Sequence, residues 1–179
     1  MQEKTMNPLL RLVMTGVLMA LACVATMVIQ IPSPTHGYMN LGDCVVLLSG
    51  CLLGPVYGAV AGGVGSALAD LLSGYMTYVP GTLIIKGLMA VVAWYVAKAA
   101  KEGGVVSFIV RVIAGIAAEA VMVLGYFAYE STALGYGLAA AGSILANVAQ
   151  GIMGIIGGLI LYYALSRTGI AKKVAPVKA

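Results

Sequence analysis

Asp70, Lys86, Glu119, Asn147 and Gln150 each stand inside a long apolar run. A charge or amide in such a place is costly, so it is either paired or functional. Their chemistry is that of binding rather than of bond-making. A serine or cysteine nucleophile needs a base beside it, and the only histidine, His36, lies in a Pro- and Gly-rich loop. The chain has no G-x-x-x-x-G-K-[ST] phosphate loop and no H-E-x-x-H zinc motif. Cys23, Cys44 and Cys51 have no metal-binding spacing and read as small apolar residues. No catalytic residue, metal site or cofactor is therefore expected. What these side chains do well is hold a small polar molecule. Gln150, three residues on, shares the helical face of Asn147.

The elements that carry them are membrane helices. Of 179 residues, 61% are hydrophobic and only 9% charged, whereas a soluble domain carries about 25% charged residues. Six apolar segments are read at residues 9–31, 41–53, 56–72, 82–97, 105–128 and 138–165. The first, fifth and sixth meet the ~20 residues of a full span; the middle three are shorter and are expected to tilt, pack inside or cross a thinned bilayer. The first also exceeds the about 7–15 residues of a signal-peptide core. Lipid demands that backbone groups be satisfied within a segment, and the runs are too continuous for alternating barrel strands. The fold class expected is thus an all-α membrane protein, a single domain of six transmembrane helices over 1–179.

Six spans place both termini on one side, and the basic residues say which. Lys4 and Arg11 open the chain; Arg167, Lys172, Lys173 and Lys178 close it; Lys98 and Lys101 mark the loop after the fourth span. The loops on the other side, around 32–40, 73–81 and 129–137, hold no Lys or Arg. The positive-inside rule then sets both termini in the cytoplasm. Arg111, about six residues into the fifth span, is expected to snorkel to the inner headgroups. The net charge of +4 is accounted for by this asymmetry, and no nucleic-acid partner is implied; the partner common to the whole surface is the lipid bilayer. The third segment, with Gly58, Gly62, Gly63, Gly65 and Ser66, is built for close packing against other helices.

In this orientation the buried polar residues lie at or above the midplane on the outer side, which points to a pocket opening outward. The loops above it supply His36, Tyr38, Asn40, Asp43, Tyr75, Tyr78 and Tyr136. Tyrosines there either stack on a flat ring or form an interfacial belt. Asp70 and Lys86 flank one hairpin at similar depth and have the option of neutralising each other. Glu119, Asn147 and Gln150 have the option of bonding between helices.

The stretch Gly37-Tyr-Met-Asn-Leu-Gly-Asp43, then Leu-Leu-Gly-Pro-Val-Tyr-Gly at 52–58, Gly-Ser-Ala-Leu-Ala-Asp-Leu-Leu-Ser-Gly-Tyr at 65–75 and Pro80-Gly-Thr-Leu-Ile-Ile-Lys86-Gly resembles the S components of energy-coupling-factor (ECF) transporters. The likeness is greatest to the riboflavin-type group, which includes hydroxymethylpyrimidine and pyridoxine binders. It implies a non-enzymatic subunit of an ABC importer in the bacterial plasma membrane. Such a subunit captures a vitamin from outside and works with a membrane scaffold subunit and two cytoplasmic ATPases. On that resemblance Asn40, Lys86, Glu119 and Asn147 are expected to contact substrate, with Asp43 and Gln150 next and Tyr38 closing the lid. Asp70 is assigned to structure. The small-residue contact of the family's first helix to the scaffold falls on Gly16 and Ala20. A small heteroaromatic cargo of the pyridoxine or hydroxymethylpyrimidine kind is expected, with riboflavin as the alternative. Other classes remain open: an ion-coupled secondary transporter, an intramembrane enzyme and a purely structural subunit.

Overall fold

A computed structural model describes residues 8–100 and 104–168. Lys4, Lys101, Lys172, Lys173 and Lys178, which entered the charge argument, lie outside the described residues. Six helices follow in order: α1, Pro8–Val28; α2, Gly42–Leu53; α3, Pro55–Leu72; α4, Val79–Ala97; α5, Gly104–Thr132; and α6, Ile144–Arg167, led in by a 3-10 turn, Gly137–Ser143. Counting α6 with that turn, all but α2 are long and apolar enough to cross a membrane.

The exception, α2, is the centre of the molecule. Its 12 residues make about 18 Å of helix at 1.5 Å per residue, short of a ~30 Å hydrocarbon layer. It packs against α1, α3, α4 and α6, and all its residues but Cys44 and Cys51 are buried. A helix apolar on every face is stable when neighbours enclose it. Enclosed in this way, α2 has no lipid thickness to match. One apolar cluster (Leu18, Leu48, Leu52 and neighbours) joins it to α1 and α3; another (Val46, Leu47, Met89, Met122) joins it to α4 and α5.

Small residues set these approaches. A Cβ on Gly58 would lie 2.8 Å from the Gly50 Cα, and one on Gly63 would lie 2.7 Å from the Leu83 carbonyl oxygen. So α3 touches α2 and α4 backbone to backbone, as its glycines lead one to expect. What its sequence does not reveal is a π-helical turn at Val60–Val64. The wider turn inserts a residue into the helical register, and beyond it Gly65 faces Met19 and Ala22 of α1.

Several boundaries differ from those read in the sequence, each for a local reason. Ile31 is not the end of α1 but part of a two-residue strand, β1, Ile31–Pro32, which pairs antiparallel with β2, Tyr38–Met39. The residue before a proline is pushed to extended backbone, which fits Ile31 before Pro32. α4 starts at Val79, three residues before 82, because Pro80 sits in its first turn, where a missing N–H is harmless. α5 runs to Thr132 rather than 128.

The two ends of the bundle differ in chemistry. At one end the start of α1 meets the end of α2 and the start of α3: Arg11 donates to the Leu53 carbonyl at 2.8 Å and lies 4.2 Å from the Tyr57 ring. Arg111 of α5 stacks 3.8 Å from the ring of Tyr162 on α6. Half-buried, it lies against an aromatic face at this end of the bundle. Lys98 lies over Trp94 and Tyr95. At the other end the β1–β2 hairpin folds over the start of α2 and the end of α3, and the polar residues collect beneath it.

Candidate functional site

The floor of this end is a hydrogen-bonded chain across three helices. Lys86 of α4 is 1% exposed and forms an ion pair with the Oδ1 of Asp43. Gln150 of α6 donates its Nε2 to the other Asp43 oxygen at 2.7 Å and accepts the backbone N–H of Asn40 at 2.8 Å. Asn40 in turn accepts the Gly42 N–H at 2.8 Å, satisfying one of the orphan donors that begin α2. The Lys86 ammonium also lies 5.5 Å from the Tyr126 ring, within cation–π range. The pairing of Lys86 with Asp70 that their depth allowed is not the one made.

Glu119 of α5 lies beside this chain. It is 5% exposed, and neither carboxylate oxygen receives a hydrogen bond. It fits because α6 has glycine opposite: a Cβ on Gly151 would sit 3.1 Å from the Glu119 Cβ. Gly154 leaves the space where Glu119 and Asp43 face each other.

The roof is held by acids and phenols. Tyr38 donates its hydroxyl to Asp70 Oδ1 at 2.5 Å, and its ring packs 4.4 Å from that of Tyr75. Glu130, 2% exposed at the end of α5, accepts from Thr35 at 2.9 Å, Tyr78 at 3.1 Å and Ser143 at 2.6 Å. Tyr78 also donates to the Thr35 carbonyl at 2.7 Å. Glu130 thereby ties the hairpin loop, α4 and the 3-10 turn to α5. Burial, then the nearby Asp70, pushes the Tyr38 phenol well above its ordinary pKa; burial and Glu130 raise that of Tyr78. Both remain donors at neutral pH.

Between roof and floor lies a small polar cavity, partly open to solvent. Of the expected site residues, Tyr38, Asn40, Asn147 and Gln150 line it. Asp43, Lys86 and Glu119 lie beneath it in the buried network instead. Asp70, assigned to structure, is in its wall, as are Thr82, Tyr126 and Glu130, which had no role in the sequence reading. A signal for two of these was present. Tyr126 and Glu130 follow Glu119 by seven and eleven residues, which puts all three on one helical face once α5 extends past 128. No group of three His, Cys, Asp or Glu side chains among the described residues forms a metal cage. Midway along α1, Gly16 and Ala20 are exposed, and an added Cβ at Gly16 meets nothing within 4 Å.

A multi-pass helical bundle with a roofed polar cavity at one end is the class that fold and site define. Residues 7–167 match the family model described as "ECF-type riboflavin transporter, S component", and the chain belongs to that family. It is 38% identical over 155 residues to an "Uncharacterized protein in gap 3'region" of Pyrococcus woesei, across 86% of this chain and 97% of the relative. Its fold is similar to that in "Structure and mechanism of the S component of a bacterial ECF transporter", with a TM-score of 0.65, 23% identity, and coverage of 90% of this chain and 98% of that one. The family is one of transporter components rather than of enzymes.

Proposed function

We propose that this protein is the substrate-binding subunit of an ECF-type importer, and that it captures a small nitrogen heterocycle of the pyridoxine or hydroxymethylpyrimidine kind from outside the cell. The observation that carries the reading is the cavity beneath the hairpin, at the end of the bundle opposite Arg11, Lys98 and Arg111. By the positive-inside rule the basic end is cytoplasmic and the cavity faces out. Six membrane crossings, the enclosed α2 among them, then leave both termini inside.

In this reading Asn147 and Asn40 contact the ligand directly, Tyr38 closes over it, and Asp43, Lys86, Glu119 and Gln150 fix the floor. Gly16 and Ala20 offer a small exposed face to a membrane scaffold subunit. Two cytoplasmic ATPases would supply the energy. Riboflavin is the second reading, favoured by the family description. Mass spectrometry of the small molecule released from gently purified protein tests both. Recovery of a pyridine or pyrimidine vitamin supports the first, recovery of an isoalloxazine the second, and protein that neither retains nor binds any such ring overturns them.

A further inference from the structure

The cavity has an acidic wall, and the cation that acts on it, Lys86, lies outside the lining. No described Lys, Arg or His lines it, while Asp70 and Glu130 do. Lys86, the buried cation nearby, is committed to Asp43. The buried ionisable side chains of this end are thus Asp43, Asp70, Glu119 and Glu130 against Lys86.

The two wall acids are not equivalent. Glu130 has both oxygens occupied: Thr35 and Tyr78 reach Oε1, and Ser143 reaches Oε2. Asp70 has Oδ1 occupied by Tyr38, but Oδ2 is buried with no hydrogen-bond partner. The residue is 4% exposed. The neighbouring Thr82 hydroxyl bonds to that of Tyr126 at 2.9 Å, where either oxygen can donate, and it lies near enough to favour the Asp70 carboxylate without coming within hydrogen-bond distance of Oδ2. Buried polar atoms in folded proteins almost always have a partner. An orphan acceptor in a cavity wall therefore marks where a donor on the occupant belongs. Tyr38 holds the carboxylate from the roof side, so the free oxygen keeps its direction.

We propose that Asp70 is a specificity residue: its Oδ2 accepts an N–H or O–H from the cargo, and the pocket admits neutral or cationic donor-bearing rings while rejecting phosphorylated or carboxylated forms of the same rings. This rests on the cavity being the substrate site, and deepens that reading. An anionic substituent would lose its water without gaining a cation, and it would face an acidic wall. Such like-charge juxtaposition is strongly disfavoured when desolvated. A hydroxyl or amino group gains a charge-assisted hydrogen bond.

The test is titration calorimetry on purified wild type and on Asp70→Asn, with three matched pairs: pyridoxine and its 5′-phosphate, 4-amino-5-hydroxymethyl-2-methylpyrimidine and its phosphate ester, riboflavin and its 5′-phosphate. For the pair whose parent binds, wild type should prefer the parent by about a hundredfold or more. Asp70→Asn should bind the parent about tenfold or more weakly and should discriminate less against the phosphate. Asp70→Ser, also neutral, serves as a second variant. The wild-type ratio itself needs no variant to fold. If the phosphate ester binds wild type within tenfold of its parent, the proposal is overturned while the cavity reading stands. If Asp70→Asn weakens both members equally, Asp70 only anchors Tyr38 and the proposal is overturned. If none of the six compounds binds wild type, the heterocycle reading fails and takes this proposal with it.

Discussion

Lys86 on α4 and Asp43 on α2 form an ion pair that neither water nor lipid reaches, with exposures of 2% and 0% for the two side chains. The pair joins the enclosed central helix to a spanning one, and Gln150 extends it to α6. Breaking a buried pair from one side costs about 3–5 kcal/mol, because the other charge is left uncompensated. Lys86→Met should therefore lower the unfolding temperature in detergent. The double variant Asp43→Leu/Lys86→Met should be less destabilised than Lys86→Met alone. A Lys86→Met protein that melts like wild type would show that the pair holds nothing together.

Asn147 gives the cleaner test of binding. It lines the cavity, and no described hydrogen bond ties its side chain to the floor network. Asn147→Leu should leave thermal stability near wild type and weaken binding of the co-purified ligand. One lost hydrogen bond, about 0.5–1.5 kcal/mol, up to 3 if a charged group is involved, corresponds to a few-fold to roughly hundredfold in affinity. Calorimetry on the refilled protein reads the change; unaltered affinity would move the ligand away from α6.

Glu130 should control the roof. Its oxygens accept from Thr35, Tyr78 and Ser143, and Gln in its place would turn one acceptor into a donor facing donors. A buried hydrogen bond broken in this way costs about 1–3 kcal/mol. In Glu130→Gln, amide hydrogen exchange across residues 33–39 should accelerate and ligand should dissociate faster. Exchange in that loop at the wild-type rate would show that the roof is held by other contacts.

How much of this was legible in the sequence follows from the range of each interaction. Helices are local, and uninterrupted apolar runs mark them well; their ends are set by single residues, so Pro80 and Ile31 displaced them by a turn. The shift at the end of α5 mattered most, because ending the helix at 128 left Glu130 in a loop and hid the face it shares with Tyr126 and Glu119. Burial of Asp70, Lys86 and Glu119 was visible from their apolar surroundings. Their partners were not, since Lys86 and Asp43 are 43 residues apart and Gln150 and Asp43 are 107 apart. Depth alone made Asp70 look the natural partner of Lys86. The π-helical turn at Val60–Val64 has no periodic signature in a segment this rich in glycine.

Orientation is open to direct labelling. In a background with Cys23, Cys44 and Cys51 replaced, a cysteine at Thr132, exposed at the cavity end of α5, should react with an impermeant thiol reagent on intact cells. One at Lys98, at the basic end of α4, should react only after permeabilisation. The reverse pattern would turn the cavity to the cytoplasm.

Coupling to an energy source gives the last expectation. The chain has no phosphate-binding loop motif of its own, so import driven by ATP would draw on partners. Close approach by another helix requires a surface without bulk, and α1 offers one at Gly16 and Ala20, both exposed and four residues apart. Leucine at these positions meets no internal neighbour at Gly16 and lies at a distance from the cavity walls. Gly16→Leu/Ala20→Leu should therefore fold and bind ligand like wild type. It should fail to co-purify with the scaffold subunit and the ATPases, and proteoliposomes containing all components should lose ATP-dependent uptake. A double variant that still assembles and transports would place the partner on another face. Uptake by the isolated chain in ATP-free liposomes under a proton or sodium gradient would instead make it a secondary transporter, with the unpartnered carboxylate of Glu119 as the first residue to replace.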